Sequence, residues 1–284
     1  MNDDAKPSPA AGPRPHVLVQ LSDPHIGVPG ERAYGRVDSA PFLQAAVQAV
    51  GRLTVPPLAV LVTGDLANHG HPAAYAALKH LLQPLACPVY LLPGNHDKRA
   101  ALRQAFAEHP WLHAAHGDAP VQYTVALPGL RVVALDSTVP GRSHGALCDE
   151  RLAWLAAELA AAPDTPTLIA MHHPPFDSHL DYMDAIGLLE GGPALARIVS
   201  GAPQVCRIVC GHLHRNVQAQ WAGTVVQTAP STAHQVWFDM AEGRGNGFGF
   251  DPPGFLVHAW LPGQPLVTHH VFVAPAEGPY PFRP

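Results

Sequence analysis

Short apolar runs recur along this chain, and polar residues follow each run, in several cases after a glycine. The runs are rich in Val, Leu and Ile, which is typical of strands buried on both faces. They are shorter than an ordinary buried helix. We therefore predict strands within residues 16–21, 58–63, 88–93, 130–136, 167–172 and 206–211.

The segments between these runs predict an α/β fold. Residues 41–53 and 149–161 each return apolar side chains to one helical face. Strands alternating with helices favour an α/β sandwich. Towards the C-terminus the helical pattern stops, and three further segments predict antiparallel strands. These segments are 224–229, 253–261 and 264–273.

Composition limits the class of protein. At 284 residues with 47% hydrophobic residues, the chain can bury the core of one large domain, which we assign to residues 16–284. The Pro-rich residues 1–15, which lack an apolar stretch, predict a flexible tail. A net charge of −5 without a Lys/Arg run argues against binding a nucleic-acid polymer. No window is apolar enough for a membrane span, so we expect a cytoplasmic protein.

Residues that can carry chemistry follow five of the predicted strands. Ligands of α/β proteins bind beyond the carboxyl ends of strands, so these side chains should meet at one edge. Seven of them are Asp, Asn or His, which suit divalent ions such as Mn, Fe, Co or Zn. The seven candidate metal ligands are Asp23, His25, Asp65, Asn95, His172, His212 and His214.

Seven ligands exceed the needs of one ion and match two ions that share a carboxylate. Asp65 is the natural bridge because it is a carboxylate that stands alone at the end of its strand, without a second candidate ligand beside it. Asp23 and His25 are two residues apart, as are His212 and His214. In an extended segment, side chains at this spacing project from one face.

The motifs D-x-H, G-D, G-N-H-D, H and G-H-x-H resemble those of the calcineurin-like metallophosphoesterase superfamily, in the same order and over residues 16–236. Residues 30–38, 171–176 and 232–236 are similar to the branch that holds bacterial class III cyclic nucleotide phosphodiesterases and glycerophosphodiester phosphodiesterases. Pro24 departs from the Thr of many relatives, but it is not a ligand position.

This resemblance implies a β-sandwich of two mixed sheets flanked by helices, with a dinuclear metal site at the C-terminal ends of the strands. It also implies hydrolysis of a small phosphodiester by a metal-activated hydroxide. His96 and His234 would be catalytic and would contact the phosphate. The first ion would take Asp23, His25, Asp65 and His214, and the second Asp65, Asn95, His172 and His212.

Several neighbouring residues have two interpretations. Asn68 either reaches the phosphate or caps the next helix. His173 is expected to form hydrogen bonds rather than bind metal. Asp97 is a candidate partner for the ring of His96, although adjacent side chains rarely bond each other. Cys206 and Cys210, four apart, are expected on one face of their strand.

Phosphomonoesterase or protein phosphatase activity is the alternative enzyme function, and a non-catalytic metal-binding scaffold is the alternative to an enzyme. The sequence shows few basic residues near the motifs to hold a dianion, namely Lys98, Arg99 and Arg215. Choice among diesters should lie in loops 27–38, 174–190 and 237–254, and residues 242–254 are a candidate mobile cover. The C-terminal strands, with Trp260 and Phe272, pack either within one chain or against a second copy.

Overall fold

A computed structural model describes residues 12–112, 116–244 and 246–282. Residues 1–11, most of the predicted flexible tail, lie outside the described residues. Residues 12–15 lead into the first strand without regular structure.

The first sheet is mixed, with parallel strands at one side and antiparallel strands at the other. Its parallel part joins β1, β2 and β3, and the antiparallel strands β14 and β15 extend it beyond β1. The predicted C-terminal antiparallel strands are therefore confirmed for these two segments. The bounds are β1 His16–Leu21, β2 Ala59–Thr63, β3 Val89–Leu92, β14 Gly254–Trp260 and β15 Val267–Phe272.

The second sheet has a parallel centre between two antiparallel edges. Its order is β10-β11-β9-β7-β5-β4, with β10 and β4 antiparallel to their neighbours. Strand β11 pairs antiparallel with β10 and parallel with β9. The predicted antiparallel strand at 224–229 is therefore confirmed for its pairing with β10 and wrong for its pairing with β9. The bounds are β4 Tyr123–Leu127, β5 Leu130–Ala134, β7 Thr167–Ala170, β9 Val205–Cys210, β10 Gln218–Trp221 and β11 Thr224–Thr228.

Helices cover the outer faces of the two sheets, and short strand pairs join the loops. One hydrophobic core contains residues of both sheets and of α1 to α3, and a second packs α4 and α6 on the other sheet. The small pairs are β6 Gly145–Ala146 with β8 Leu188–Glu190, and β12 Gln235–Val236 with β13 Phe248–Gly249. The helices are α1 Ser39–Gly51, α2 Pro72–Leu82, α3 Arg99–Ala105, α4 Asp149–Ala160, α5 Asp181–Asp184 and α6 Gly192–Ser200, with a 3₁₀ turn at Pro110–Leu112.

A bulge in β9 changes which side chains face each core. Thr167 pairs with Val205, but Leu168 pairs with Arg207, which leaves Cys206 as an extra residue. An extra residue breaks the two-residue alternation of a strand. Cys206 consequently packs against the first core and Cys210 lies in the second, so the prediction that they share a face is wrong.

The C-terminal aromatic residues divide between the interior and the surface. Trp260 is buried, and its Nε1 donates a hydrogen bond to the carbonyl of Pro128 at 2.9 Å. Phe272 is exposed. Trp260 therefore packs within the chain, and contact with a second copy through β15 stays a prediction. In the described part of the chain, no helix is long and apolar enough to cross a bilayer.

Candidate metal centre

The candidate ligands come from both sheets and meet where the parallel strands end. Asp23 and His25 follow β1, Asp65 follows β2, and Asn95 follows β3. His172 follows β7, while His212 and His214 follow β9. Asn95 is half-buried, and the other six are buried. Two sheets packed face to face thus bring five strand ends to one place.

The backbone at five of these residues is left-handed. Asp23 has φ 49°, His25 44°, Asp65 48°, His212 68° and His214 49°. Non-glycine residues rarely adopt this conformation, and it concentrates at functional sites. The expectation that each i, i+2 pair lies on an extended segment is therefore wrong, because the chain turns at each ligand.

At two positions neighbouring atoms lie so close to the backbone that only glycine fits. A Cβ on Gly94 would overlap the backbone N and Oδ1 of Asp65, and one on Gly211 would overlap Ser22 Oγ and Thr63 O. Gly211 has an ordinary backbone conformation. Its role is to let β9 approach β1 and β2, which brings His212 next to Asp23.

The first group of donor atoms contains two carboxylates and two imidazoles. Single ligand atoms of Asp23, His25, Asp65 and His214 all lie within 4.8 Å of one another. His25 Nε2 is 3.0 Å from His214 Nε2 and 3.4 Å from Asp65 Oδ2. His214 Nε2 is 3.5 Å from Asp23 Oδ1. These distances suit donor atoms that surround one cation.

The second group lies on the other side of Asp65. Asn95 Oδ1 is 3.1 Å from His172 Nε2 and 3.2 Å from His212 Nδ1. His172 Nε2 is 3.5 Å from Asp65 Oδ1. The two oxygens of Asp65 therefore face different groups, which is the position a bridging carboxylate needs. His212 and His214 fall into different groups although only one residue separates them.

Hydrogen bonds at the outer ring nitrogens orient two of the histidines. Nδ1 of His172 lies 2.8 Å from the carbonyl oxygen of Thr63, and Nδ1 of His214 lies 2.9 Å from that of His234. A carbonyl only accepts, so each Nδ1 carries a proton and each Nε2 is the nitrogen that faces the candidate metal site. Backbone N–H of His212 donates to the Asp23 carboxylate at 3.1 Å.

Burial and mutual charge shift the pKa values of these groups. Burial, then the neighbouring imidazoles, holds the pKa of His25 and of His212 well below its usual range, and burial also lowers that of His214. These rings are neutral at pH 7, which is the form that binds metals. Burial raises the pKa of Asp23 to about 7. A buried carboxylate of this kind is stabilised by a cation beside it.

His172 and Asp65 shift each other's pKa values across a distance of 3.5 Å. Burial opposes the charge on both, but their mutual attraction raises the pKa of His172 to about 9 and holds that of Asp65 well below its usual range. A divalent cation supplies the same attraction to Asp65 and displaces the proton from His172. The donor set therefore fits divalent metal ions.

The two predicted catalytic histidines border the same cleft. His96 Nδ1 lies 2.7 Å from the carbonyl oxygen of Asn68, and its Nε2 is 3.9 Å from Asp65 Oδ2. The His96 side chain is 25% exposed, so a ligand can reach it. His234 is buried, its ring lies 5.2 Å from that of His25, and its Nδ1 has no hydrogen-bond partner among the described residues.

Asn68 does not cap the following helix. The N-cap of α2 is His71, whose ring accepts from the N–H of Ala73. The amide of Asn68 faces His69, and its Oδ1 is buried without a partner among the described residues. The capping interpretation is wrong, and contact between Asn68 and the phosphate stays a prediction.

Asp97 and His173 have structural partners. Asp97 accepts hydrogen bonds from the N–H groups of Leu66, Ala67 and Gly94, so it joins the loops after β2 and β3. It makes no bond to the ring of His96, and the predicted orienting role is wrong. Although the ring of His173 lies close enough to metal-binding groups to be a geometric candidate, its two nitrogens face Ser137 Oγ and Ser143 O. Its expected hydrogen-bonding role is confirmed.

The basic residues near the motifs are mostly occupied. Arg99 is buried and pairs with Asp136 at 2.7 Å, and Arg215 pairs with Asp251 at 2.8 Å. Lys98 is exposed and lines a groove next to His96. The same groove contains Arg142, a basic side chain that motif spacing does not reveal.

A cleft of about 440 Å³ opens above the metal-binding groups. Its outer wall comes from the three loops that the sequence associates with substrate choice, so their placement at the site is confirmed. Tyr34 was recognisable only as a residue of the first loop, and nothing in the local pattern indicated Tyr182 or Phe248. The outer wall includes Tyr34, Tyr182, Met183, Ile186 and Phe248.

Residues 16–216 match the calcineurin-like phosphoesterase family, and the chain belongs to that family. This match spans more than half of the chain and includes all seven candidate ligands. The family implies divalent metal ions, in agreement with the clusters of donor atoms described above.

Relatives named as phosphodiesterases match most of the chain. A probable glycerophosphodiester phosphodiesterase of Arcobacter nitrofigilis is 34% identical over 94% of this chain and 96% of its own length. A cAMP/cGMP dual specificity phosphodiesterase of Mycobacterium tuberculosis is 34% identical over 94% of this chain and 86% of its own. A probable cyclic nucleotide phosphodiesterase of Rhodococcus erythropolis is 38% identical over 78% of this chain and 73% of its own.

Solved structures share the fold at low sequence identity. A dimetal phosphatase from Danio rerio superposes with a TM-score of 0.65 and 16% identity, over 92% of this chain and 98% of its own. The purple acid phosphatase of yellow lupin gives 0.66 and 14%, over 91% of this chain and 52% of its own. The predicted calcineurin-like sandwich is thereby confirmed.

Proposed function

We propose that this protein is a metal-dependent phosphodiesterase that hydrolyses small phosphodiesters, either cyclic nucleotides or glycerophosphodiesters. The carboxylate of Asp65 carries this proposal, because its two oxygens face two separate groups of donor atoms. The relatives named for these two substrate classes support it.

Two divalent ions, chosen among Mn, Fe, Co and Zn, are the cofactors of this proposal. Asp23, His25, Asp65 and His214 would hold the first, and Asp65, Asn95, His172 and His212 the second. When bound, such ions would supply positive charge for the phosphate and lower the pKa of a bound water to about 7. Contact with a second copy of the chain and a cytoplasmic location stay predictions from the sequence.

The remaining polar groups act on the phosphate. His96 donates from Nδ1 to the Asn68 carbonyl, so its Nε2 can donate to a phosphate oxygen or to the leaving alkoxide when the ring carries a second proton. General-acid help of this kind contributes about 10²- to 10⁴-fold. Burial, then the charge of His96, lowers the pKa of His234 to about 4. The His234 ring is thus neutral at pH 7, and it acts by hydrogen bonding. Asn68, which lies next to His96, would also donate to the phosphate.

A phosphomonoesterase is the second candidate function. Its support is the groove with Lys98 and Arg142 beside His96, because two cationic side chains favour a dianion. A non-catalytic scaffold is disfavoured by His96, which belongs to neither group of donor atoms but faces the cleft.

The test uses metal-stripped protein reconstituted with Mn or Co and assayed on bis(p-nitrophenyl) phosphate and on p-nitrophenyl phosphate. We expect the diester to be hydrolysed with the larger kcat/KM. Equal or faster hydrolysis of the monoester would overturn the phosphodiesterase proposal in favour of a phosphomonoesterase. Bound metal without turnover of either compound would favour the scaffold.

A further inference from the structure

The cleft above the metal-binding groups has an apolar, aromatic side that none of the proposed catalytic roles uses. Tyr34, Tyr182 and Phe248 provide its rings, and Met183, Ile186 and Val236 provide aliphatic surface. Such a wall is typical of a site that holds the organic part of a ligand.

Tyr34 and Phe248 form one surface next to His234. Their ring centroids are 5.3 Å apart and the rings are tilted by 36°. Each ring meets His234 nearly edge-on, Tyr34 at 5.3 Å and Phe248 at 5.2 Å. Since His234 also contacts His25 and His214, this aromatic pair lies directly beside the first group of donor atoms.

A small hydrophobic cluster holds the aromatic pair in place. Ala33, Val37 and Ala233 are each 1% exposed, and Phe248 packs against them. A bridge between Ala33 and Val37 closes the turn that carries Tyr34. Tyr34 has φ 51°, a conformation that bulky residues seldom adopt unless their surroundings impose it. The pair is therefore built into the fold rather than left on a free loop.

The exposed area of the pair is available to a ligand. Tyr34 is 52% exposed and Phe248 is half-buried. Among the described residues that line this cleft, none is Lys or Arg. A polyol placed here would leave hydroxyl groups against apolar side chains, which is costly. A flat, uncharged ring would stack on the same surface.

We propose that Tyr34 and Phe248 select phosphodiesters that carry a planar, uncharged aromatic ring, of which a nucleoside diester is the biological form. This inference rests on the proposed phosphodiesterase function. It assigns the nucleotide rather than the glycerol diester to this site and makes Tyr34 and Phe248 the residues that discriminate between them.

The experiment compares Mn-loaded wild type with Phe248→Ala and Tyr34→Ala on two substrates, 3′,5′-cyclic AMP and glycerophosphoethanolamine. The readout is the ratio of kcat/KM for the nucleotide to that for the glycerol diester. We expect a ratio above about 10 for wild type and a roughly tenfold decrease in each variant, mainly through KM of the nucleotide. Tyr34→Phe keeps the ring and should keep the ratio within about twofold.

Phe272→Ala is the matched control, because Phe272 is an exposed aromatic of β15 that contacts His270 and does not line the cleft. It should leave the ratio unchanged. Competition by the monoesters adenosine 5′-monophosphate and glycerol 3-phosphate gives a second readout that needs no turnover of the tested compound. The nucleotide should compete about tenfold better in wild type and lose most of that advantage in Phe248→Ala.

The outcomes separate the two proposals. Preference for glycerophosphoethanolamine, or an equal decrease for both substrates in the variants, would overturn the aromatic selection and leave the phosphodiesterase standing. Failure of wild type to hydrolyse either diester would overturn the proposed function and this inference with it.

Discussion

Two groups of polar side chains inside this protein differ in how their hydrogen-bonding atoms are matched with partners. The candidate metal centre contains the seven residues Asp23, His25, Asp65, Asn95, His172, His212 and His214 at the ends of the strands. The core polar cluster contains Gln20, Thr63, Arg207, His258 and Thr268 between the two sheets. Both bury histidine, so burial by itself does not identify a ligand.

The difference lies in the ring nitrogens. In the core polar cluster, His258 bonds Gln20 Oε1 through Nε2 at 3.1 Å and Thr268 Oγ1 through Nδ1 at 2.9 Å. In the metal centre, His25 Nε2 and His214 Nε2 face each other and the carboxylates. A buried imidazole with two complementary partners is structural, whereas one whose lone pair points at carboxylates is available to a cation.

Loss of the shared carboxylate should have the largest effect. Asp65→Ala removes an oxygen from each group of donor atoms, so both ions should bind weakly. We expect diester turnover to fall by more than about 100-fold, the upper range for loss of a group that only supports a ligand. Metal content after dialysis and turnover with added Mn are the measurements. Asp164→Asn, at an exposed loop, should match wild type; normal metal content in Asp65→Ala would contradict the bridging position.

Replacement of His96 should separate chemistry from metal binding. His96→Ala removes a proton donor that faces the cleft without belonging to either group of donor atoms. We expect kcat to fall by about 10²-fold or more while two ions per chain remain bound. Metal analysis and steady-state kinetics on the same sample test this, and a parallel loss of metal would show that His96 is instead a ligand.

The adjacent residues His172 and His173 offer a direct comparison within one segment. His172→Gln should weaken metal binding by roughly 10- to 100-fold or more, since its Nε2 faces Asn95 and Asp65. His173→Gln should leave metal affinity near that of wild type, because both nitrogens of His173 already face Ser137 and Ser143. Titration of metal-free protein with Mn measures both affinities. A similar loss of metal affinity in the two variants would show that hydrogen bonding of the ring nitrogens does not separate ligands from structural histidines.

The smallest expected effect concerns the pH dependence of stability. Burial, then the charge of Arg207, lowers the pKa of His258 from 6.5 to about 3. Below pH 6.5 His258 is protonated in the unfolded chain but stays neutral in the folded protein. The contribution of neutral His258 to stability is therefore lost as pH falls from about 6.5 towards 3. Between pH 7 and 5 the resulting decrease in the free energy of unfolding is about 2 kcal/mol.

We therefore expect His258→Gln to lose less stability than wild type on acidification. Urea unfolding of the metal-free proteins at pH 7 and 5 measures this, because the histidines of the metal centre contribute equally to both. His269→Gln, on the exposed strand β15, should follow wild type. An unchanged pH dependence in His258→Gln would mean that this ring does not resist protonation.

The sequence alone indicated much of the fold and the residues of the candidate site. Buried parallel strands must be apolar on both faces, so β1, β2 and β9 are visible as runs of Val, Leu and Ile. Asp and His directly after such runs are conspicuous because strand ends are where α/β proteins bind ligands. The short strands β12 and β13 were not visible, because two residues carry no periodic pattern.

Relations between distant segments depend on how the chain packs and are not visible in the sequence. The left-handed turns at Asp23 and His214, the bulge at Cys206 and the division of His212 from His214 depend on contacts with other strands. The aromatic pair joins Tyr34 to Phe248 across most of the chain. Hydrophobic pattern and residue type are local properties and can be read from the sequence. Which side chains of distant segments face each other is set by how the sheets pack.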